Sequence, residues 1–253
     1  MPHLSLFIIT FLMLTGFLAA FIDSTVGGGG LISLPALLFV GLPPALALGT
    51  NKLAGTLSSL TSSFSFWVSR KMTVRLVLML APLSFLGSIV GANVAHHLSS
   101  SFLKPMVIVL LIAITGYTII NKRVGAKSTA NSVTGRRMVM AMAIALVVGF
   151  YDGFFGPGTG SFLIMAFALM GFDFVQAAGN AKALNFASNI GALLTFALLN
   201  SVDYLYGLTM GIGMVLGAIV GSQTAVHRGV HFVRPIVIFV TVALIGKQLW
   251  SWF

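Results

Sequence analysis

The chain has 253 residues, 58% apolar and 7% charged, with no glutamate and only Asp23, Asp152, Asp173 and Asp203 as acids. A globular surface is built with about a quarter charged residues, so this composition excludes a water-exposed fold and makes the lipid bilayer the partner of most of the surface. The net charge of +10 does not point to nucleic acid, because the basic residues fall in short loops between apolar runs, where they act as a membrane-orientation signal; the lack of cysteine excludes disulfides, thiolate metal sites and cysteine nucleophiles.

A hydrocarbon core takes about 20 apolar residues as helix. Residues 4–22 predict the first span, and without a basic n-region or a small-residue cleavage site they read as a retained helix. Asp23 and the run Gly27-Gly28-Gly29-Gly30 follow, then a short apolar segment, 31–42, closed by Gly41-Leu42-Pro43-Pro44. Long segments come next at 44–68, 74–95, 102–120 and 137–155. Asp152 and the stretch Gly156-Pro157-Gly158-Thr159-Gly160 introduce a second short segment, 160–171, closed by Gly171-Phe172-Asp173. The last long segments are 174–199, 204–226 and 232–252. Glycine runs and prolines interrupt helices, and a helix of about 12 residues is only ~18 Å long, so each short segment crosses part of the membrane or crosses obliquely within the protein.

The loops give an orientation. Those at 69–75 (Arg70, Lys71, Arg75), 121–137 (Lys122, Arg123, Lys127, Arg136, Arg137) and 227–234 (Arg228, Arg234) are basic and predicted cytoplasmic. The loops at 96–101 and 200–203 have no Lys or Arg and are predicted outside. These assignments agree when both short segments count as crossings, giving ten segments, five in each half, and both termini outside.

The halves match at a constant offset of 130: Gly30 with Gly160, Gly41 with Gly171, Gly49 with Gly179, Lys52 with Lys182, Ser58 with Ser188, and Lys104-Pro105 with Arg234-Pro235. Gly87-Ser-Ile-Val-Gly91 likewise matches Gly217-Ala-Ile-Val-Gly221, while Asp23 matches Asp152 at 129. An odd number of spans per repeat inverts one repeat relative to the other, a sequence mark of many secondary transporters. The expected architecture is an all-α polytopic membrane protein of two inverted repeats, residues 1–125 and 126–253, with eight full transmembrane helices and two short broken ones in one integral unit.

Each half thus offers a glycine-rich break, a short helix, a second break and a long helix with a lysine near its start. A broken helix leaves backbone N–H groups free at its new N-terminus, which with the dipole favours an anion. Gly28, Gly29 and Gly30 in one half and Gly158 and Gly160 in the other are the expected cradles. Lys52 and Lys182 sit in apolar surroundings, where a lysine at the bilayer centre costs about 2.5–3.5 kcal/mol; anion attraction is the expected role, and snorkelling to an interface is the alternative. Around them lie Thr50, Asn51, Thr56, Ser58 and Ser59 in one half and Asn180, Asn185, Ser188 and Asn189 in the other. Their amides and hydroxyls can donate to an oxyanion or tie helices together. Asp23 and Asp152 are candidates for proton coupling, with helix capping or pairing to a lysine as alternatives; Asp173 and Asp203 read as cap or loop residues.

Other features are structural in reading. Gly87/Gly91 and Gly217/Gly221 have GxxxG spacing, which serves packing within a protomer or, alternatively, a homo-oligomer. Trp67, Trp250 and Trp252 end segments as an aromatic belt would, and His96 and His97 are expected in a loop without metal-ligand spacing. No Gly-Lys-Ser/Thr follows the glycine runs, so no phosphate-binding loop, cofactor or metal is expected.

Phe21-Ile-Asp-Ser-Thr-Val-Gly-Gly-Gly-Gly-Leu-Ile-Ser-Leu-Pro with Gly49-Thr-Asn-Lys, and Gly156-Pro-Gly-Thr-Gly with Gly179-Asn-Ala-Lys-Ala-Leu-Asn, resemble the two repeats of the TauE/SafE sulfite exporter family of membrane permeases. The resemblance covers nearly the whole chain. It implies a location in the bacterial cytoplasmic membrane and transport of sulfite, an organosulfonate or a similar small organic anion, with Asn51, Lys52, Lys182 and Asn185 at the family's motif positions. The expectation is a secondary anion transporter working by alternating access; a passive anion channel is the rival, and an intramembrane enzyme is disfavoured by the thin catalytic inventory.

Overall fold

The computed structural model describes residues 5–99, 101–103, 105, 106, 109 and 135–228. Among them the regular structure is entirely helical: α1 (Leu6–Val26), α2 (Gly30–Phe39), α3 (Pro44–Val68), α4 (Val74–His97), α5 (Arg136–Phe154), α6 (Thr159–Leu169), α7 (Phe174–Leu198) and α8 (Tyr204–Arg228). The expected spans over 102–120 and 232–252, Lys104, Arg234, Lys122, Arg123, Lys127, Trp250 and Trp252 lie wholly or largely outside the described residues.

The helix boundaries have local causes. Ser5 caps α1 by accepting from the Ile8 amide at 3.3 Å, and Asp173 caps α7 by accepting from the Gln176 amide at 2.9 Å; both leave one fewer orphan donor at a helix start. Pro44 opens α3, a position where its missing N–H costs nothing. The short helices end where Gly41 (φ 93°) and Gly171 (φ 97°) turn the chain through the left-handed region. Boundaries recur at an offset of 130: α3 and α7 begin at 44 and 174 and end at 68 and 198.

Two expectations need correction. Helix α1 runs on to Val26, past the expected end of the span at 22, so Asp23 lies within its last turn, still just ahead of the glycine run. His96 and His97 form the last turn of α4 instead of a loop: the helix outruns the apolar stretch because the His97 ring takes up the Asn93 carbonyl at 2.8 Å and His96 meets the Ser201 hydroxyl at 2.9 Å.

Four helices, α1, α4, α5 and α8, are long and apolar enough to cross a membrane by length and composition. Helices α3 and α7 have 25 residues each, about 37 Å at 1.5 Å per residue. They carry a run of polar side chains that is buried inside the bundle: Thr50, Asn51, Lys52, Ser58 and Ser59 on α3, and Asn180, Lys182, Asn185, Ser188 and Asn189 on α7. The outward faces are apolar, as Leu14, Leu78, Val147 and Leu216 illustrate, a surface suited to acyl chains rather than water.

Packing exchanges elements between halves. Helix α1 lies along α8, α5 along α4, and α3 and α7 cross in the centre. The GxxxG glycines are consumed by these contacts within one protomer. A Cβ on Gly91 would sit 2.0 Å from the Phe150 carbonyl oxygen of α5, and one on Gly217 would sit 2.1 Å from the Phe17 carbonyl oxygen of α1. Such backbone-to-backbone approach is open to glycine alone.

Candidate functional site

The two glycine-rich breaks meet. A Cβ on Gly27 would lie 2.3 Å from the Ser161 amide nitrogen, and one on Gly30 would lie 2.9 Å from the Pro157 Cα. Ser161 Oγ donates to the Val26 carbonyl at 3.1 Å, binding the start of α6 to the end of α1. The starts of both short helices are thus brought against each other in the middle of the bundle, beside the crossing of α3 and α7.

An internal cavity of about 40 Å³ opens there. At ~10–15 Å³ per enclosed water it has room for a few waters or one small oxyanion. Its wall includes Asp23, Ser33, Asn51, Lys52, Ser58, Asp152, Thr159, Asn185 and Asn189, with Gly29, Gly30, Gly55, Gly156, Gly158 and Gly160 supplying close backbone.

The charges are paired crosswise between halves. Lys52 Nζ donates to Asp152 Oδ1 at 2.9 Å and to Asn189 Oδ1 at 3.4 Å. Lys182 Nζ lies 2.6 Å from Asp23 Oδ2, a contact of charges rather than a directed hydrogen bond, since the ammonium has no well-aligned acceptor. Lys52 is 2% exposed and Lys182 0%. Neither reaches a surface, so the snorkelling alternative does not describe them. Pairing with lysine, one of the alternatives for the aspartates, is what both carboxylates do.

The two pairs differ in their surroundings. Asp152 accepts from Lys52 and from Thr159 Oγ1 at 3.0 Å on one oxygen. Its other oxygen accepts from Asn185 Nδ2 at 3.2 Å and Ser188 Oγ at 2.5 Å. Asp23 has the Gly29 amide at 3.1 Å and the Lys182 charge. At the positions matching Asn185 and Ser188 by the 130 offset, the first half has Gly55 and Ser58. Gly55 has no donor to offer, and Ser58 Oγ, 2% exposed, has no partner.

The expected site residues separate into three groups. Asn51, Lys52, Ser58, Asn185, Asn189, Gly29, Gly30, Gly158, Gly160, Asp23 and Asp152 line the cavity. Lys182 and Ser188 stand behind it, holding the carboxylates, and Gly28 forms the turn into α2 at φ 92°. Thr50 and Asn180 serve elsewhere: Thr50 Oγ1 accepts from the Asp203 amide at 2.9 Å, and Asn180 Oδ1 accepts from the Thr73 amide at 2.7 Å. These matched bonds tie α3 to the start of α8 and α7 to the start of α4. Thr56 and Ser59 donate back to Lys52 and Gly55 carbonyls on their own helix, although Ser59 also accepts from Asn189 Nδ2 at 3.4 Å.

Sequence reasoning passed over Thr159, Ser33 and Gly55. Thr159 stands inside the second glycine stretch, and Gly55 is the offset-130 counterpart of Asn185; both positions were readable signals. Ser33, whose hydroxyl donates to Asn51 Oδ1 at 2.6 Å, lies within the first motif, among apolar residues that do not single it out.

Comparison with known proteins follows the same lines. The profile of the family described as "Sulfite exporter TauE/SafE" matches residues 12–247. A "Probable membrane transporter protein ORF9" of a Sinorhizobium species is 38% identical over 250 residues, covering 98% of this chain and 95% of its own. A "Probable membrane transporter protein" of Haemophilus influenzae is 34% identical, covering 97% of both chains. The "Probable membrane transporter protein YfcA" of Escherichia coli is 35% identical, covering 98% of this chain and 93% of its own. No solved structure matches.

Proposed function

The chain belongs to the sulfite exporter TauE/SafE family of membrane transporters rather than to an enzyme family, and on that footing we propose that it is a secondary transporter of a small anion: sulfite, an organosulfonate or a similar organic anion. The observation that carries this reading is the polar cavity on which Lys52, both aspartates and both short-helix starts converge, with Lys182 behind Asp23. Ligand sites of secondary transporters lie where interrupted helices of two repeats meet, and helix starts with buried cations suit an anion.

Two inverted repeats, residues 1–125 and 126–253, account for the recurrence of helix boundaries at offset 130 and for the exchange of α1 and α5 between halves. Ten crossings with basic loops on the cytoplasmic side, in a bacterial cytoplasmic membrane, complete this reading. Alternating access then consists of the repeats rocking about the cavity, which opens to one side at a time.

The interior is already neutral: two ammonium groups face two carboxylates. An entering anion therefore competes with Asp23 or Asp152 for a lysine, and proton uptake by the displaced carboxylate couples transport to pH. The test is counterflow of radiolabelled sulfite in proteoliposomes, comparing the wild type with Lys52→Ala and Lys182→Ala. Saturable exchange, lost in at least one variant, supports the reading. Flux that never saturates and shows no counterflow indicates an anion channel. Exchange undiminished in both variants removes the lysines from the site.

A further inference from the structure

Resting on the transporter reading above, we infer that the two half-sites have different jobs: the Asp23 half exchanges its carboxylate for the transported anion, while the Asp152 half is a fixed clamp. The ligand is a singly charged oxyanion held by Lys182, the Gly29 amide and the Ser58 hydroxyl, and Asp23 is the anion's internal stand-in.

The difference in donors carries this assignment. Asp152 is saturated by four side-chain donors and is 2% exposed. Each of its oxygens already accepts twice. Asp23 is 17% exposed and lines the cavity with one directed hydrogen bond, from Gly29. Its lysine has no directed acceptor, and the buried Ser58 hydroxyl on the cavity wall has no partner at all. An unpaired buried donor costs stability, so Ser58 on the cavity wall, together with a short-helix start, describes a place built for an acceptor that arrives from outside. The asymmetry comes from two positions: Gly29 stands where the other half has Thr159, and Gly55 where it has Asn185. A side chain at position 55 would press on Asn189, whose amide atoms lie 3.3–3.4 Å from where its Cβ would be. Gly55 both withholds a donor from Asp23 and keeps the cavity open.

The exchange balances in charge. Before entry, Lys182 ammonium faces Asp23 carboxylate. As the anion takes the ammonium, the Gly29 N–H and the Ser58 O–H, the Asp23 carboxylate accepts one proton from the side to which the cavity is open. Lys182, neutral acid and bound anion sum to the same net charge as before, and release reverses both steps. The charged groups around Asp23 are Lys182 on α7, Lys52 on α3 and, through Lys52, Asp152 on α5. Helices α2 and α6 contribute none, and the titratable residues of α8 (Tyr204, Tyr206, His227, Arg228) sit at its ends.

The experiment uses the full chain in proteoliposomes with radiolabelled methanesulfonate, whose charge does not titrate near neutral pH. One proton per anion predicts about tenfold accumulation per unit of imposed pH gradient in the wild type. Asp23→Asn is expected to keep counterflow and lose this accumulation. Ser58→Ala removes a hydroxyl that the empty protein leaves unpaired, so folding is retained while the counterflow KM rises about 2- to 12-fold, the worth of one hydrogen bond, with coupling unchanged. Undiminished accumulation in Asp23→Asn, or uncoupled exchange in Asp152→Asn with coupling intact in Asp23→Asn, overturns the assignment. So does an unaltered KM in Ser58→Ala. A wild type that exchanges neither sulfite nor methanesulfonate overturns the transport reading itself, and one that exchanges only sulfite overturns the singly charged ligand.

Discussion

Removing Asp152 should harm the protein more than removing the lysine it holds. Asp152→Ala and Lys52→Met each leave one buried charge without its partner, a loss of about 3–5 kcal/mol in either case. Their remaining consequences differ. In Lys52→Met the carboxylate keeps Thr159, Asn185 and Ser188 as donors. In Asp152→Ala those three donors lose their acceptor as well. Side-chain hydrogen bonds inside membrane proteins average ~0.6 kcal/mol, so three amount to ~2 kcal/mol. Two of the donors have a second acceptor within reach: Thr159 Oγ1 lies 2.7 Å from the Gly156 carbonyl and Ser188 Oγ 3.1 Å from the Asn185 carbonyl. Their rotation lowers the extra cost to ~1 kcal/mol. Asp152→Ala should therefore be the less stable variant by about 1 kcal/mol. The assay is equilibrium unfolding in mixed micelles with increasing SDS mole fraction, followed by helical circular dichroism. Equal stabilities, or Lys52→Met as the weaker protein, would refute the claim that Asp152 is the hub of this network.

Close helix contact gives a second expectation. Gly91→Ala places a Cβ 2.0 Å from the Phe150 carbonyl oxygen and should abolish folded protein in a detergent size-exclusion profile, whereas Gly41→Ala, with nothing within 4 Å, should fold and lose only the ~1–2 kcal/mol of a left-handed alanine. Thr50→Val breaks the bond to the Asp203 amide, outside the cavity lining; the counterflow KM should stay at the wild-type value while the melting temperature in detergent falls by a few degrees, about 1 kcal/mol of lost hydrogen bonding.

The fold was largely legible because its signals are local. Apolar runs bounded by glycine and proline locate helices wherever lipid is the solvent, and α3, α4, α7 and α8 begin where Pro44, Val74, Phe174 and Tyr204 suggested. The ends were less legible where a side chain extends a helix past its apolar stretch, as His96 and His97 do. The site was legible in composition and not in pairing. Offset 130 makes Lys52 and Lys182 equivalents, and offset 129 does the same for Asp23 and Asp152, but only the packing of α3 and α7 makes each lysine meet the other half's aspartate. Thr50 and Asn180 sit two residues before their lysines and look like site residues in one dimension. The helical turn points them instead toward the starts of α8 and α4.

The crosswise pairs also bear on kinetics. Lys52 and Asp152 belong to different halves, as do Lys182 and Asp23, so the proposed rocking of the halves would load both pairs. Separating one such buried pair with nothing to replace it costs about 3–5 kcal/mol, which slows the step roughly 10²- to 10⁴-fold at ~1.4 kcal/mol per decade. In the proposed mechanism a bound anion supplies Lys182 with a replacement partner and a proton neutralises Asp23, so the loaded transporter escapes the penalty of that pair and the empty one does not, while the Lys52–Asp152 pair loads both alike. Exchange across proteoliposome membranes should accordingly outrun net efflux into anion-free buffer by at least tenfold at the same pH. In Asp23→Asn the empty site lacks the Lys182–Asp23 pair, the load on Lys52–Asp152 is common to both modes, and the two rates should converge. Net efflux as fast as exchange in the wild type would show that the halves move without straining these pairs.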